Sequence, residues 1–550
     1  MLPNQLDIGL KIGYNYYIMK KNITAIILIS IVLAGGLPYV NSLHNPFIWD
    51  EEAIIVNNPI IKQWKYLTFL FKTNIFGGPI EAGGFYRPFY MLSFMADYHF
   101  WKLNPMGYHF FSIIFHILNA MLFYVFIIKL GLQKKIAWLA SLLFALFPVN
   151  AEAVTLIAAR VELITSFLLL ACFILFLNGI KISRFYFLGS ILLFILSIFT
   201  KESALLLPLI ALIYTLIFLE KKEMRKTFSP LLTLISIVFI YGGLRILFLG
   251  SPFHRTLSLI NEAAFIERVY TFPRILLTYI QLIVMPIVLK SEYHFVVHSF
   301  KDAYVLLGTP FLILLFTLIN IFLKPRKYAL FFSCWFLIGL APYSNLIIPL
   351  HATLMEHWGY FSSMGFAALM SITFFKIKDG AASRRVKYAA VLIMASLMLF
   401  YALRIIERNR EWNDPFTLYQ KDVEKEPNSF LLHCNLGVEY FRRGMMEEAR
   451  KEFIASNKAC PGRGYDVAYN NLGVIYAREG RIPEAVSCYK QSIALNNYAL
   501  AYANLAELYN NLRMHEDAVL VLKEGVKLYP LNDEIQHQLS AAHDGNEENK

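Results

Sequence analysis

Three acids stand together at Asp50-Glu51-Glu52, directly after the apolar run Phe47-Ile48-Trp49. Adjacent carboxylates against apolar surface raise one another's pKa, which suits general acid/base chemistry. The alternative is that Asp50 and Glu51 cap a helix beginning near Ala53, where acids complement the helix dipole. Arg87, in Tyr86-Arg87-Pro88, is similarly two-sided: it can snorkel to lipid headgroups or grip a phosphate with both guanidinium nitrogens. Lys201 either ends one helix and starts the next or supplies a cation at a helix mouth. His109 and His116, on one apolar helix, are more simply satisfied buried histidines than metal ligands.

The elements that must position these groups are mostly membrane helices. The chain has 550 residues, of which 57% are hydrophobic and 16% charged, with a mean hydropathy of +0.50. Globular domains carry about 25% charged residues, so much of this chain belongs in lipid. Apolar segments of roughly 17–25 residues qualify as spans. They fall at 23–40, 108–128, 136–157, 162–180, 185–200, 203–220, 229–250, 303–323, 328–349, 357–376 and 387–405. A further stretch, 268–289, carries Arg268, Arg274, Pro273 and Pro286 and reads as an interfacial or re-entrant helix. About eleven spans follow. Lys20-Lys21 before the first span marks an uncleaved signal anchor, with Met19 as an alternative start.

The net charge of +12 sits in short basic loops such as Lys134-Lys135, Lys221-Lys222 and Arg384-Arg385. Such clusters report membrane orientation and argue against a nucleic-acid partner. They place residues 1–22 in the cytoplasm and the C-terminal region outside. The five cysteines have no metal or disulfide spacing. No metal motif is legible, which leaves a divalent ion in the reaction an open question.

With that topology the ionisable groups sort to one face. Asp50, Glu51, Glu52 and Arg87 lie in the first outer loop, 41–107, and Glu152, Arg160 and Glu162 in the second. Lys201 and Glu202 occupy the third, Arg245, Arg255 and Glu292 border the long loop 251–302, and Asn345, His351, Glu356 and His357 the last. Ionisable groups near a membrane are costly and usually functional. The first loop is too rich in aromatics to be disordered. Its stretch from Arg87 to Trp101 reads as an amphipathic helix on the membrane, begun by Pro88.

Beyond a linker at 406–428, the pattern Asn435-Leu436-Gly437, Asn471-Leu472-Gly473 and Asn504-Leu505-Ala506 repeats at close to the tetratricopeptide (TPR) period. Residues 429–540 are thus read as about three TPR repeats, an α-solenoid whose groove takes a peptide or protein, before a polar tail at 541–550. The fold class is all-α: a polytopic bundle followed by a TPR solenoid.

Taken in order, Trp49-Asp50-Glu51, Tyr86-Arg87-Pro88, Gly107-Tyr108-His109, Pro148 to Val154, Ala159 to Glu162, Lys201-Glu202, Leu289 to Tyr293, Ser344-Asn345-Leu346, Glu356 to Tyr360 and Arg410-Glu411-Trp412 resemble the transmembrane-and-TPR-repeat O-mannosyltransferases and their prokaryotic relatives. That family has the GT-C architecture of multi-span glycosyltransferases. The resemblance implies a sugar taken from a polyprenyl-phosphate donor and given to an acceptor on the non-cytoplasmic side, with no bound cofactor. It implies Asp50 as base with Glu51 beside it, and a pocket including Glu152, Glu202, Glu292, Asn345, Glu356 and Tyr360. Because the donor leaves as a phosphate, Arg87 and Lys201 are the first candidates to hold it, with Arg160 and Arg245 behind them. Two departures stand out. The family has His where this chain has Phe147 and Asn150, and Asp-Asp where it has Asp50-Glu51, the latter being closer to the related protein O-mannosyltransferases.

The expected function is transfer of a sugar, mannose by resemblance, to a Ser or Thr hydroxyl of a protein acceptor recruited by the repeats. A prokaryotic source would place the protein in the inner or plasma membrane. Two other readings stay open: a lipid or cell-wall polymer as acceptor, and a non-enzymatic scaffold or transporter with a docking domain.

Overall fold

A computed structural model describes residues 23–76, 85–249, 258–462, 464–530 and 532–548. The N-terminal segment with Met19, the loop residue Arg255 and the last two residues of the tail lie outside these. The described chain is helical, and its one isolated bridge pairs Tyr293 with Leu354.

The first helix, α1 (Ile23–His44), ends in 3₁₀ geometry. The first loop folds into short turns and α2 (Pro88–Trp101). The bundle continues with α3 (Pro105–Lys129), α4 (Lys134–Leu146), α5 (Ala151–Thr155), α6 (Arg160–Lys181), α7 (Tyr186–Ile198), α8 (Leu207–Phe218) and α9 (Lys221–Leu249). After α10 (Leu259–Glu262) come α11 (Phe265–Val284), α12 (Thr309–Phe322), α13 (Arg326–Leu340), α14 (Tyr360–Gly380) and α15 (Arg384–Glu411). Local chemistry starts several of them: Pro105 follows the Asn104 cap of α3, and Ser383 caps α15.

Each of the expected apolar segments is helical, but not each is long enough to span. Among the described residues seven helices are long and apolar enough to cross a membrane, or eight if α4 and the bent piece after it form one broken span. The physical reasons are visible. Pro148 bends the chain by 54° after α4, α7 has only 13 residues, and α13 stops at Ala341-Pro342 after 15. Helix α11 carries Glu267, Arg268 and Arg274 and is not among the seven.

One large core fills the bundle where α3, α4, α6, α13 and α14 meet, with Phe173, Trp335 and Phe331 in mutual ring contact. A second, smaller core belongs to the first loop: Ile54, Ile55, Ile60 and Ile61 pack on Tyr90, Met91 and Phe94 of α2 and on Tyr108. Here the expectation of an amphipathic surface helix is corrected. Phe100 is exposed while Tyr90, Phe94 and the charged Asp97 are buried, so α2 has no clean apolar and polar faces and is partly swallowed by the loop's own core.

Residues 406–428, read from the sequence as a linker, are the last turns of α15 and a packed helix, α16 (Pro415–Lys425), capped by Asp414. Three helix pairs follow: α17 (Phe430–Arg442) with α18 (Met446–Ala459), α19 (Asp466–Arg478) with α20 (Ile482–Asn496), and α21 (Ala499–Asn511) with α22 (His515–Leu528). The last, α23 (Asp533–Glu548), closes the solenoid. Small residues of the repeat pattern are where helices touch: a Cβ on Gly473 would lie 2.6 Å from the ring of Tyr489, and one on Gly437 2.7 Å from Phe453. Overfilling such a contact costs about 1–3 kcal/mol. Gly473→Leu should therefore leave the bundle intact but make the 466–530 region the first cut in limited proteolysis of the full chain. Parental resistance there would disprove this packing.

Candidate active site

The outer loops of the sequence reading meet at one end of the bundle. Glu51 accepts hydrogen bonds from the backbone N–H of Ile48 at 2.9 Å and of Ala158, in the second loop, at 3.1 Å. Phe89 N–H reaches the Phe199 carbonyl at 3.4 Å, and Arg87 pairs with Glu202 at 3.0 Å, joining the first loop to the third. His357 of the last loop donates its backbone N–H to Glu152 at 2.9 Å. The basic residues Lys135 and Lys181 lie at the opposite end, where Lys135 pairs with Asp379 and Lys181 bonds the Lys129 carbonyl.

The turn bearing the acids is strained. Trp49 has φ +56°, the left-handed region that costs a non-glycine residue about 1–3 kcal/mol. It separates the roles of the two neighbouring acids. Glu51 is buried, and burial pushes its carboxyl up to about 8 against the pull of the backbone N–H groups around it. Its oxygens are committed to the backbone, so it is a clamp between loops. Asp50 is solvent-accessible yet surrounded by dense protein, as in a cleft. Among the described residues its carboxylate has no hydrogen-bond partner. Burial, with a smaller push from the charge of nearby Glu292, raises it to about 6. Glu292 itself stays below the usual carboxylate range: its burial is outweighed by His294 at 3.2 Å and by the hydroxyl of Ser429, which donates to it. An accessible, unpaired carboxylate with an elevated pKa is equipped to take a proton.

The cations are organised in two pairs of contacts. Glu202 lies between Arg87 and Arg245; Arg245 stands 3.2 Å from Oε1 without hydrogen-bond alignment and donates instead to the Tyr241 hydroxyl at 3.1 Å. Lys201 pairs with Glu162 and sits 5.0 Å from the ring centroid of Tyr343. A small cleft beside this pair is lined by Glu162, Ser203, Leu206 and Tyr343. Both Arg87 and Lys201 lie within electrostatic range of His357, and Lys201 within range of His351. Arg87 also covers the Phe85 ring at 4.1 Å.

Other expected site residues have polar groups engaged inside the protein. Arg160 is fully buried and donates to Asp97, Ser112 and the Tyr108 carbonyl; with every face of its guanidinium taken, it is not free to hold a phosphate. Tyr360 lies inside the bundle, its hydroxyl shared by His116 at 2.8 Å and Asn119 at 3.3 Å. His116 also bonds the Ala145 carbonyl and His109 that of Asn45. Glu356 accepts from the backbone N–H of Lys290 and the hydroxyl of Tyr293. Asn345, at φ +59°, shapes the last loop through Leu350 N–H and the Thr353 carbonyl. Phe147 and Asn150, where the resemblance expects His, pack on Tyr401 and bond the Phe144 carbonyl. Among the described residues no group of three or more His, Cys, Asp or Glu could hold a metal.

The sequence reading missed Asp97, the counter-ion of Arg160, because it lies mid-helix without a motif. It also missed the seam that joins bundle and repeats. There Arg408 pairs with Asp422 at 3.3 Å, and Asp422 accepts from the backbone and hydroxyl of Ser291.

The tetratricopeptide repeat family models match residues 467–498 and 499–530, the second and third helix pairs. Protein O-mannosyl-transferase F38B6.6 of Caenorhabditis elegans is 29% identical over 458 residues, covering 80% of this chain and 63% of that protein. Protein O-mannosyl-transferase TMTC3 of Mus musculus is 25% identical over 567 residues, covering 93% and 60%. This chain thus spans about six tenths of the length of these curated relatives. ArnT from Cupriavidus metallidurans, solved bound to undecaprenyl phosphate, aligns with a TM-score of 0.41 and 11% identity over 88% of this chain and 80% of that one. Over most of its length, then, the chain is similar to the transmembrane, repeat-bearing protein O-mannosyltransferases.

Proposed function

We propose that this protein is an integral-membrane glycosyltransferase that moves a sugar, mannose by its similarity, from a polyprenyl-phosphate donor to a Ser or Thr hydroxyl of a protein acceptor on the extracytoplasmic face. The observation that carries the reading is one juxtaposition: an unpaired, accessible Asp50 shares an end of the bundle with Arg87, Arg245 and Lys201, and the repeats are seated on that end.

In this reading Asp50 accepts the hydroxyl proton as the oxygen forms its bond to the anomeric carbon. The bond from that carbon to the phosphate oxygen breaks, and the charge grows on the departing polyprenyl phosphate. Arg87 and Arg245 are held apart by Glu202, whose side chain is 26% exposed. A phosphate entering there exchanges one carboxylate for a better-charged anion without moving the guanidinium groups, so the cations are pre-organised rather than recruited. Lys201 supplies a further positive charge behind them. The TPR groove is where an acceptor protein would dock.

Asp50→Asn should abolish transfer of labelled sugar from a polyprenyl-phosphate donor in membranes while the protein accumulates normally; retained activity would refute the base. Because the base works deprotonated and its pKa is raised to about 6, the rate should rise with pH through that value and level off above it. Glu292→Gln removes the neighbouring negative charge, so the acid limb of kcat/KM should move to lower pH. A limb that stays in place would show that another group titrates. Separately, Glu202→Arg should weaken donor use, seen as a rise in KM for the lipid donor, because it sets a third cation against the other two; an unchanged KM excludes this cluster from the donor site.

A further inference from the structure

The turn that carries Asp50 is held from outside the bundle. Trp49, the strained residue immediately before the base, stacks on Tyr419 of α16 with centroids 6.1 Å apart and planes inclined by 29°. Its other contact is edge-on with Trp412, at 5.9 Å, on the residue that ends α15. Trp412 and Tyr419 are buried, and together with Ile48, Leu156, Leu432 and Leu436 they form a separate apolar cluster. That cluster contains residues of the first loop, the second loop, α16 and the first repeat helix. On the far side of the base, Glu52 pairs with Arg442 of α17 at 2.5 Å. The base is therefore bracketed, at the residue before it and at the second residue after it, by side chains that belong to the repeat end of the chain.

An isolated four-residue turn has no means of keeping a tryptophan in the left-handed region, since the conformation persists only where surrounding structure over-determines it. Glu51 closes the turn across Trp49 onto Ile48 and fixes it to the second loop, but it grips only backbone. The side-chain surfaces against the Trp49 ring are those of Trp412 and Tyr419.

We infer that Trp412 and Tyr419, with the Glu52–Arg442 pair, are positioning residues that hold Asp50 in its working orientation, so that the junction of α15, α16 and the first repeat is part of the catalytic apparatus as well as a route to an acceptor groove. The inference rests on the reading of Asp50 as the base. It separates two roles of the repeats that the proposed function leaves joined: docking a protein acceptor, which acts on KM, and aiming the base, which acts on kcat whatever the acceptor.

The test uses the full-length protein in lipid nanodiscs and a short Ser/Thr peptide that cannot occupy Asp50 and the solenoid groove together. Tyr419→Ala should lower kcat for that peptide by roughly tenfold to a hundredfold, the scale of a misplaced catalytic group, with KM little changed. It should also move the acid limb of the pH profile downward, because a freed Asp50 is better solvated. Tyr419→Phe keeps the ring and should keep both the rate and the limb. Should Tyr419→Ala fail to fold, the decision passes to the half-exposed ion pair. Arg442→Glu should slow the same peptide several-fold, and adding Glu52→Lys should restore most of the loss. Parental turnover of the short peptide by folded Tyr419→Ala overturns the inference, as does charge reversal without rescue. Activity in Asp50→Asn would instead strike the assignment of the base, and so fails separately.

Discussion

Glu51 ties together two chain segments that are 107 positions apart, accepting backbone hydrogen bonds from Ile48 and Ala158. A carboxylate placed almost out of contact with solvent is costly unless its oxygens are occupied, and here the backbone of both outer loops occupies them. The consequences spread outward. With Glu51 committed, Asp50 is left as the acid facing the cleft. With the second loop drawn against the first, Arg160 meets Asp97 on α2, and the start of α6 brings Glu162 to Lys201. The same folding that buries one acid thus exposes the other and gathers the cations beside it.

That division of labour decides how much of the site was legible in the sequence. Residue types and their order located the loops that converge, because ionisable groups between apolar helices have few places to go. The order of motifs also pointed to Arg87 and Lys201, and a place at a helix end pointed to Arg245; the three meet around Glu202 and Glu162 at the shared end. What one dimension cannot carry is which member of a set of acids and bases is saturated. Asp50 and Glu51 are adjacent and chemically alike, yet a turn with φ +56° at Trp49 sends them to opposite environments. Arg160, a reserve candidate by sequence, is surrounded by Asp97, Ser112 and the Tyr108 carbonyl. Tyr360 belonged to an ordered motif but its hydroxyl is spent inside the bundle. The helices were legible by composition, whereas their lengths were not: Pro148 and Pro342 interrupt segments whose apolar character continues past them.

The seam between bundle and repeats is the least legible part and among the most polar. Arg408, Asp422, Ser291, Glu292 and Ser429 form a buried set of contacts across it. Buried ion pairs add little net stability over well-packed apolar residues, but breaking one leaves a charge stranded. Such a seam tolerates one relative placement of its two sides and penalises neighbouring ones. Residues 406–428 supply Arg408 and Asp422 to it from the end of α15 and from α16.

Helix α15 crosses from the basic end of the bundle to that seam without a break, over 28 residues. Only 11% of its apolar window is buried by protein, so most of its flank is left for acyl chains. Toward its C-terminal end the grip is different: Tyr401 donates to the Ile283 carbonyl, Arg404 to the Pro286 carbonyl and Asn409 to the Pro38 carbonyl, and packing of that kind sets a helix's tilt. Trp412 follows that anchored stretch, so the ring that meets Trp49 edge-on rides on a part of α15 held by protein rather than by lipid.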